Sequence, residues 1–158
     1  MAQSFINYVD APLGLRNNNP GNIRDVGIGW EGKIGSNKGF VVFNDVAWGI
    51  RAMMINLHTS ITIHGNDTLL KYILRYAPPQ ENDTEQYIFI VSQKTRIESN
   101  EKIDFNFDKL KLILLAQFDV EIGPKYSALI TNEDVNEAFS RLNIKIASFF
   151  KGNNKLKA

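Results

Sequence analysis

The chain has 158 residues, 44% of them hydrophobic and 11% aromatic, with a formal net charge of +1. That length and composition suit one globular domain with an ordinary core, and the balanced charge gives no overall field for nucleic acid or an acidic membrane. There is no cysteine, so neither a disulfide framework nor a thiolate site is expected. No run of eighteen apolar residues suggests a membrane span, and Met1–Phe5 lacks the basic region and apolar stretch of a signal peptide.

Taken in order, residues 1–14 carry little pattern and read as an N-terminal arm. Residues 15–44 are rich in turn formers. Asn19-Pro20-Gly21-Asn22 should be a tight bend of type II, with Pro20 fixing φ and Gly21 accepting a positive φ. Trp30–Ile34 and Phe40–Phe43 read as a hairpin closed by the five residues Gly35–Gly39. From Asn44 the period becomes helical. Val46, Ile50, Met53, Leu57 and Ile61 lie on one face of a helix begun by Asn44 or Asp45 and ended by Gly65. Asn66 or Asp67 caps a helix from Leu69 to about Tyr76, which Pro78-Pro79 closes. Asn82 and Glu85 have capping-box spacing for a helix to about Lys94. Asn106 or Asp108 opens a strongly apolar helix through Leu110, Ile113, Leu114, Gln117 and Glu121, which Gly123-Pro124 ends. Thr131 caps a helix to about Leu142, and a last apolar segment reaches Phe150. The expected fold is α+β, mostly α: a single domain over 15–150 with five or six helices and one small hairpin, then a frayed tail at 151–158.

The densest chemistry lies in Leu15–Arg24, which holds four amides and two guanidiniums. Amides donate and accept together, so Asn18, Asn19 and Asn22 suit hydroxyl- and acetamido-rich ligands such as glycans. The plainer alternative is a bend whose asparagines satisfy nearby backbone groups. His58 and His64 are six residues apart, on opposing sides of a helix, so no shared metal is expected. Carboxylates remain as proton donors. Glu121 stands at the C-terminal end of the most apolar helix, where the dipole disfavours negative charge by about 0.3–1 kcal/mol. Burial beside Phe118, Ile122 and Tyr126 would raise its pKa further, as a glycosidic general acid requires. Glu31, beside the sugar-stacking candidate Trp30, is the second candidate; otherwise it is a surface strand residue. Tyr126 is a further sugar contact.

The chain resembles a family of short phage and prophage proteins described as structural or virion-associated lytic proteins. The resemblance spans about residues 13–140. It rests on Gly14-Leu15-Arg16-Asn17-Asn18-Asn19-Pro20-Gly21-Asn22-Ile23-Arg24, Trp30-Glu31-Gly32 and Trp48-Gly49-Ile50-Arg51-Ala52. Tyr76-Ala77-Pro78-Pro79-Gln80-Glu81-Asn82-Asp83-Thr84 and Glu121-Ile122-Gly123-Pro124-Lys125-Tyr126 complete it. It implies a lysozyme-like domain that cleaves the β-1,4 link between N-acetylmuramic acid and N-acetylglucosamine. Such a domain acts as a muramidase or a lytic transglycosylase, and a phage or prophage uses it to breach the cell wall. The Asn-rich run is similar to that of wall glucosaminidases, and Glu121-Ile122-Gly123 to the helix-end Glu-Ser-Gly of lytic transglycosylases. In those enzymes the glutamate comes first, so a circular permutation is implied. Two positions depart from the family pattern: Val120 stands where a His precedes the Glu, and Glu31 where relatives often carry Gln. The resemblance implies no cofactor and no metal. It implies a monomer working on glycan strands, with other virion proteins as further partners, located in the virion or in the host cytoplasm before delivery to the wall. The rival reading is a non-catalytic virion structural or wall-binding protein that keeps the fold.

Overall fold

In the computed structural model, residues 2–151 are described. Eight helices and one antiparallel hairpin form a single, mostly helical α+β domain. The elements run α1 (Leu13–Arg16), β1 (Lys33–Asn37), β2 (Phe40–Phe43), α2 (Val46–Thr62), α3 (Leu69–Tyr76) and α4 (Thr84–Thr95). They continue with α5 (Phe107–Ile122), α6 (Pro124–Ser127), α7 (Asn132–Ser140) and α8 (Ile144–Phe150). The two helices beyond the expected six, α1 and α6, are single turns of four residues, too short to leave a periodic signal.

Two helices organise the rest. α2 packs on α3, α5, α7, α8 and β2, while α5 packs on α1, α2, α4 and α6. The α2 stripe read from the sequence is the core stripe: Val46, Ile50, Met53 and Leu57 are fully buried. Each such side chain contributes about 1.5–3 kcal/mol of burial. From α5, Leu110, Ile113, Leu114 and Phe118 meet them.

The caps mostly follow the sequence, one residue apart in places. Asp45 caps α2 by accepting from the Trp48 N–H, and Asn106 caps α5 by accepting from the Lys109 N–H. Thr131 and Asp134 make both bonds of a capping box. At α3 the cap is Thr68, because Asp67 instead pairs with Lys71. At α4 it is Asp83, while the Asn82 amide turns back to the Pro78 carbonyl. The hairpin loop is two residues rather than five. Lys38 and Gly39 both have positive φ, 53° and 86°, the type I′ geometry that matches strand twist. β1 therefore extends to Asn37, and Trp30 lies before it.

The segment read as an arm carries no regular element before α1 begins at Leu13, yet it is docked. Phe5 is buried, and the Gln3 backbone N–H and side-chain amide both donate to Asp134. Of the tail, residues 152–158 lie outside the described residues.

The asparagine bend is an internal strut. Asn18 and Asn19 are each 0% exposed. The Asn18 amide accepts from the Phe5 N–H at 2.8 Å and donates to the Phe43 carbonyl at 2.9 Å and to Ser4 Oγ at 3.0 Å. The Asn19 amide accepts from the Ile23 N–H and donates to the Ile23 and Val41 carbonyls, all at 2.9–3.0 Å. These two asparagines follow the plainer alternative and are not ligand contacts. The turn closes through Asn22 N–H to Asn19 C=O, but Gly21 has no positive φ; Asn18 and Asn22 do, at 54° and 53°. Glycine is needed at 21 because a Cβ there would strike Met53, and at 49 because a Cβ would strike the Asn18 carbonyl. The bend thus lies directly against the α2 backbone.

Asn19→Ala strips a buried N–H and two carbonyls of their partners at once. Urea denaturation should show a loss of about 3 kcal/mol; a loss under about 0.5 kcal/mol, the range of ordinary surface changes, would show that the bend is not held by this amide.

Candidate active site

The last turn of α5 brings Glu121 to the surface of the core. Gln117 and Glu121 are four residues apart on the stripe that buries Leu110, Ile113 and Leu114, so one polar pair continues an apolar face. Gly123, with φ 86°, stops the helix and Pro124 begins α6.

Each carboxylate oxygen of Glu121 has a donor. Asn22 Nδ2 donates to Oε1 at 2.9 Å, and the Tyr87 hydroxyl donates to Oε2 at 2.9 Å. The contact joins residues 99 positions apart and puts the exposed end of the asparagine bend on the end of α5. Asn22 is in the left-handed region, which asparagine tolerates better than most residues. Behind Tyr87 the chain of bonds continues inward. Gln117 Nε2 donates to the Tyr87 hydroxyl at 3.4 Å, and the Tyr72 hydroxyl donates to Gln117 Oε1 at 2.7 Å. Tyr76 donates its hydroxyl hydrogen to the Gly21 carbonyl.

Burial pushes the Glu121 carboxyl above the usual carboxylate range. The donors Asn22 and Tyr87, and the Arg24 charge, pull the other way, since each favours the ionised form. The desolvation cost is larger than all three together. Burial also pushes the phenols of Tyr72, Tyr76 and Tyr87 upward, so they stay protonated as donors.

Glu121 and Asn22 face a groove of about 500 Å³, whose walls include Arg24, Trp30, Phe40, Asn56, Tyr76 and Asn82. Arg24 lies over the Phe40 ring at 5.2 Å and pairs with Glu81 at 2.9 Å. On the other side of Glu121 a smaller hollow of about 230 Å³ is lined by Asp83, Gln86, Tyr87, Ile90 and Val120. Glu121 and Asn82 belong to both, so the carboxyl stands where two parts of one cleft join.

Of the residues singled out from sequence, Glu121, Asn22 and Trp30 meet in this cleft. Glu31 does not: its side chain is 69% exposed and pairs with Arg51 at 3.3 Å. Tyr126 does not line the groove either; its ring lies under the Lys125 ammonium at 5.3 Å. Asn18 and Asn19 are buried beneath the bend. Tyr87, Gln117 and Asn56 were not singled out. Gln117 had a legible signal, an amide on an otherwise apolar stripe; Tyr87 had none, because only the tertiary packing of α4 on α5 gives it a partner.

No protein-family model matches the chain. Protein P5 of Pseudoalteromonas phage PM2 is 36% identical over 135 residues, covering 82% of this chain and 81% of that protein. The chain belongs to the family of this phage protein. The phage relationship expected from the motifs therefore stands, over most of both chains. Among the described residues no helix is long and apolar enough to cross a membrane.

Because the folded state holds the Glu121 proton more tightly than the unfolded chain, stability contributed by the neutral carboxyl is fully present below pH 4.5. It is lost as pH rises through the folded value. Glu121→Gln removes that loss. Its melting temperature should match the parent below pH 4.5 and exceed it at neutral pH; a variant less stable than the parent at neutral pH would contradict the raised pKa.

Proposed function

We propose that this protein is a peptidoglycan-cleaving glycosidase, with a lytic transglycosylase as the favoured form, which a phage or prophage uses to open the bacterial wall. The observation that carries the reading is Glu121: a carboxyl whose pKa burial raises, oriented by Asn22 and Tyr87, at the junction of a long cleft. The resemblance of its sequence motifs to wall-degrading domains, and its relationship to a phage protein, support it.

Glu121 donates its proton to the bridging oxygen as the bond from C1 of N-acetylmuramic acid to that oxygen breaks. The carboxylate left behind is the form that Asn22 and Tyr87 favour, so both donors act when charge develops rather than before. A hydrolase needs a second carboxyl about 5–9.5 Å away. Among the described residues no other carboxylate lines the main groove; Asp83, in the adjoining hollow, accepts from the Gln86 N–H as the cap of α4, Glu31 is held by Arg51, and Asp45 accepts from both terminal nitrogens of Arg141. The Glu121 carboxylate then takes the proton of the C6 hydroxyl as O6 attacks C1, which closes an anhydro ring without water. Trp30 supplies an aromatic wall for a pyranose face, and Asn56 and Asn82 supply groups for hydroxyls and acetamides.

A second reading, a wall-binding or structural protein without activity, is favoured by one observation. Val120, where the resembled family carries His, lines the smaller hollow beside Glu121.

Purified peptidoglycan should release soluble muropeptides ending in anhydro rings, lighter by one water than hydrolysis products. Glu121→Gln should cut the rate by about 10²–10⁴-fold while sacculus binding persists. Binding without any release by the parent protein would establish the second reading instead.

In the parent, kcat/KM should fall as pH rises through the Glu121 pKa, because the acid form is lost. Tyr87→Phe removes a bond that lowers this pKa, so its alkaline limb should move to higher pH. A limb that moves down or stays fixed would remove Tyr87 from control of the acid.

A further inference from the structure

Beyond Tyr76 the cleft opens into another hollow of about 380 Å³. Ile28, Asn56 and Tyr76 line both it and the main groove, so the two are continuous. Its far side is formed by Thr59, His64 and Arg75. Among the described residues no carboxylate lines it.

Arg75 differs from Arg24, Arg51 and Arg141, the arginines that form ion pairs among the described residues. Arg24 pairs with Glu81, Arg51 with Glu31, and Arg141 with Asp45 and Glu137. Among the described residues Arg75 has no acidic partner; its contact is Nη2 to His64 Nε2 at 3.2 Å. A guanidinium has five N–H donors in a planar fork, and this contact uses one of them. The remaining donors and an uncompensated charge stand at the wall of a concave site, an arrangement that fits a carboxylate.

We propose that this hollow binds a carboxylate on the peptide stem of the glycan, held by Arg75, while the sugar chain lies along Asn56 and Tyr76 toward Glu121. The proposal rests on the peptidoglycan reading above and specifies its substrate as peptide-bearing strands. Neutral sugars supply no anion, so the charge to match Arg75 must come from a substituent that leaves the sugar backbone at this end of the cleft.

The test is titration calorimetry on full-length Glu121→Gln protein, in which cleavage plays no part, with and without Arg75→Gln. The probes are a GlcNAc–MurNAc tetrasaccharide carrying peptide stems, the same sugar with its stems removed by an amidase, and chitotetraose. Arg75→Gln should weaken the stem-bearing probe by about tenfold and leave the other two unchanged. The difference should shrink with added salt. Arg75→Lys, which keeps the charge but not the fork, should recover part of the affinity. An equal loss on the amidase-treated sugar would move the anion to the lactyl group and overturn the stem assignment. A loss on chitotetraose as well, or on no probe, would also overturn it. If the Glu121→Gln protein binds chitotetraose and both tetrasaccharides equally, the glycan reading stands and this one falls. If it binds none of them, both fall.

Discussion

The structure depends on two asparagine amides that are fully used inside the protein. Asn18 and Asn19 join the N-terminal segment, the bend and β2 through backbone groups that would otherwise be unpaired in the core. A buried amide left without partners costs about 1–3 kcal/mol for each group, so the arrangement holds as a unit or not at all. The Gly49 backbone then approaches the bend with no side chain between them. Saturating these amides fixes the path of the chain up to Asn22, the first amide of the series that is free to face the cleft. A rigid interior therefore places one polar group with accuracy, and that group meets a glutamate almost a hundred residues away.

At Glu121 opposing effects of similar kind are set against one another. Removal from water disfavours its charge, while Asn22, Tyr87 and the more distant Arg24 favour it. Burial alone would favour the protonated form, and donors alone the ionised one. The phenol of Tyr87 is itself tied to Gln117, and Gln117 to Tyr72. The orientation of the acid therefore depends on a row of neutral groups running into the core, and none of them brings a charge that would override the effect of burial.

Much of the fold was readable because its signals are local. The α2 stripe, the Asp45, Asn106 and Thr131 caps, and the Gly123-Pro124 stop are dictated within a few residues. The misreadings came where two local solutions compete. Lys38-Gly39 can close a hairpin because Lys38 accepts a left-handed conformation within the strand pairing. Thr68 displaces Asp67 as a cap because Asp67 has a lysine one turn ahead. At the site, Glu121 was visible through its place at a helix end and Asn22 through the bend. The division of labour within the asparagine run was not. Four amides within six residues look alike in a sequence, and only the neighbouring carbonyls of Ile23, Val41 and Phe43 determine which are consumed by the backbone. Glu31 was attractive because it adjoins Trp30, but the chain turns between Trp30 and Lys33, whose N–H bonds the Trp30 carbonyl, and the two side chains part there. Trp30 lines the groove, while Glu31 points toward Arg51.

The pairing pattern of the acidic residues narrows the chemistry further. Asp45 is committed twice, as the cap of α2 and as the partner of Arg141, whose guanidinium also stacks on Trp48 at 4.6 Å. Glu31 completes the same cluster through Arg51, whose guanidinium stacks on Trp48 at 5.5 Å. Recruiting either carboxylate as a nucleophile or base would unpair a partly buried arginine, at a cost of several kcal/mol. Asp119, two residues before Glu121, is likewise taken by Lys94 and by the Ser127 hydroxyl. Asp83, which lines the smaller hollow, is taken as the cap of α4, so among the described residues the main groove keeps one carboxyl, and a single carboxyl can serve a two-step reaction only by giving a proton and then taking one back. That requirement suits a group under opposing influences, and at Glu121 burial favours the neutral form while Asn22, Tyr87 and Arg24 favour the charged one.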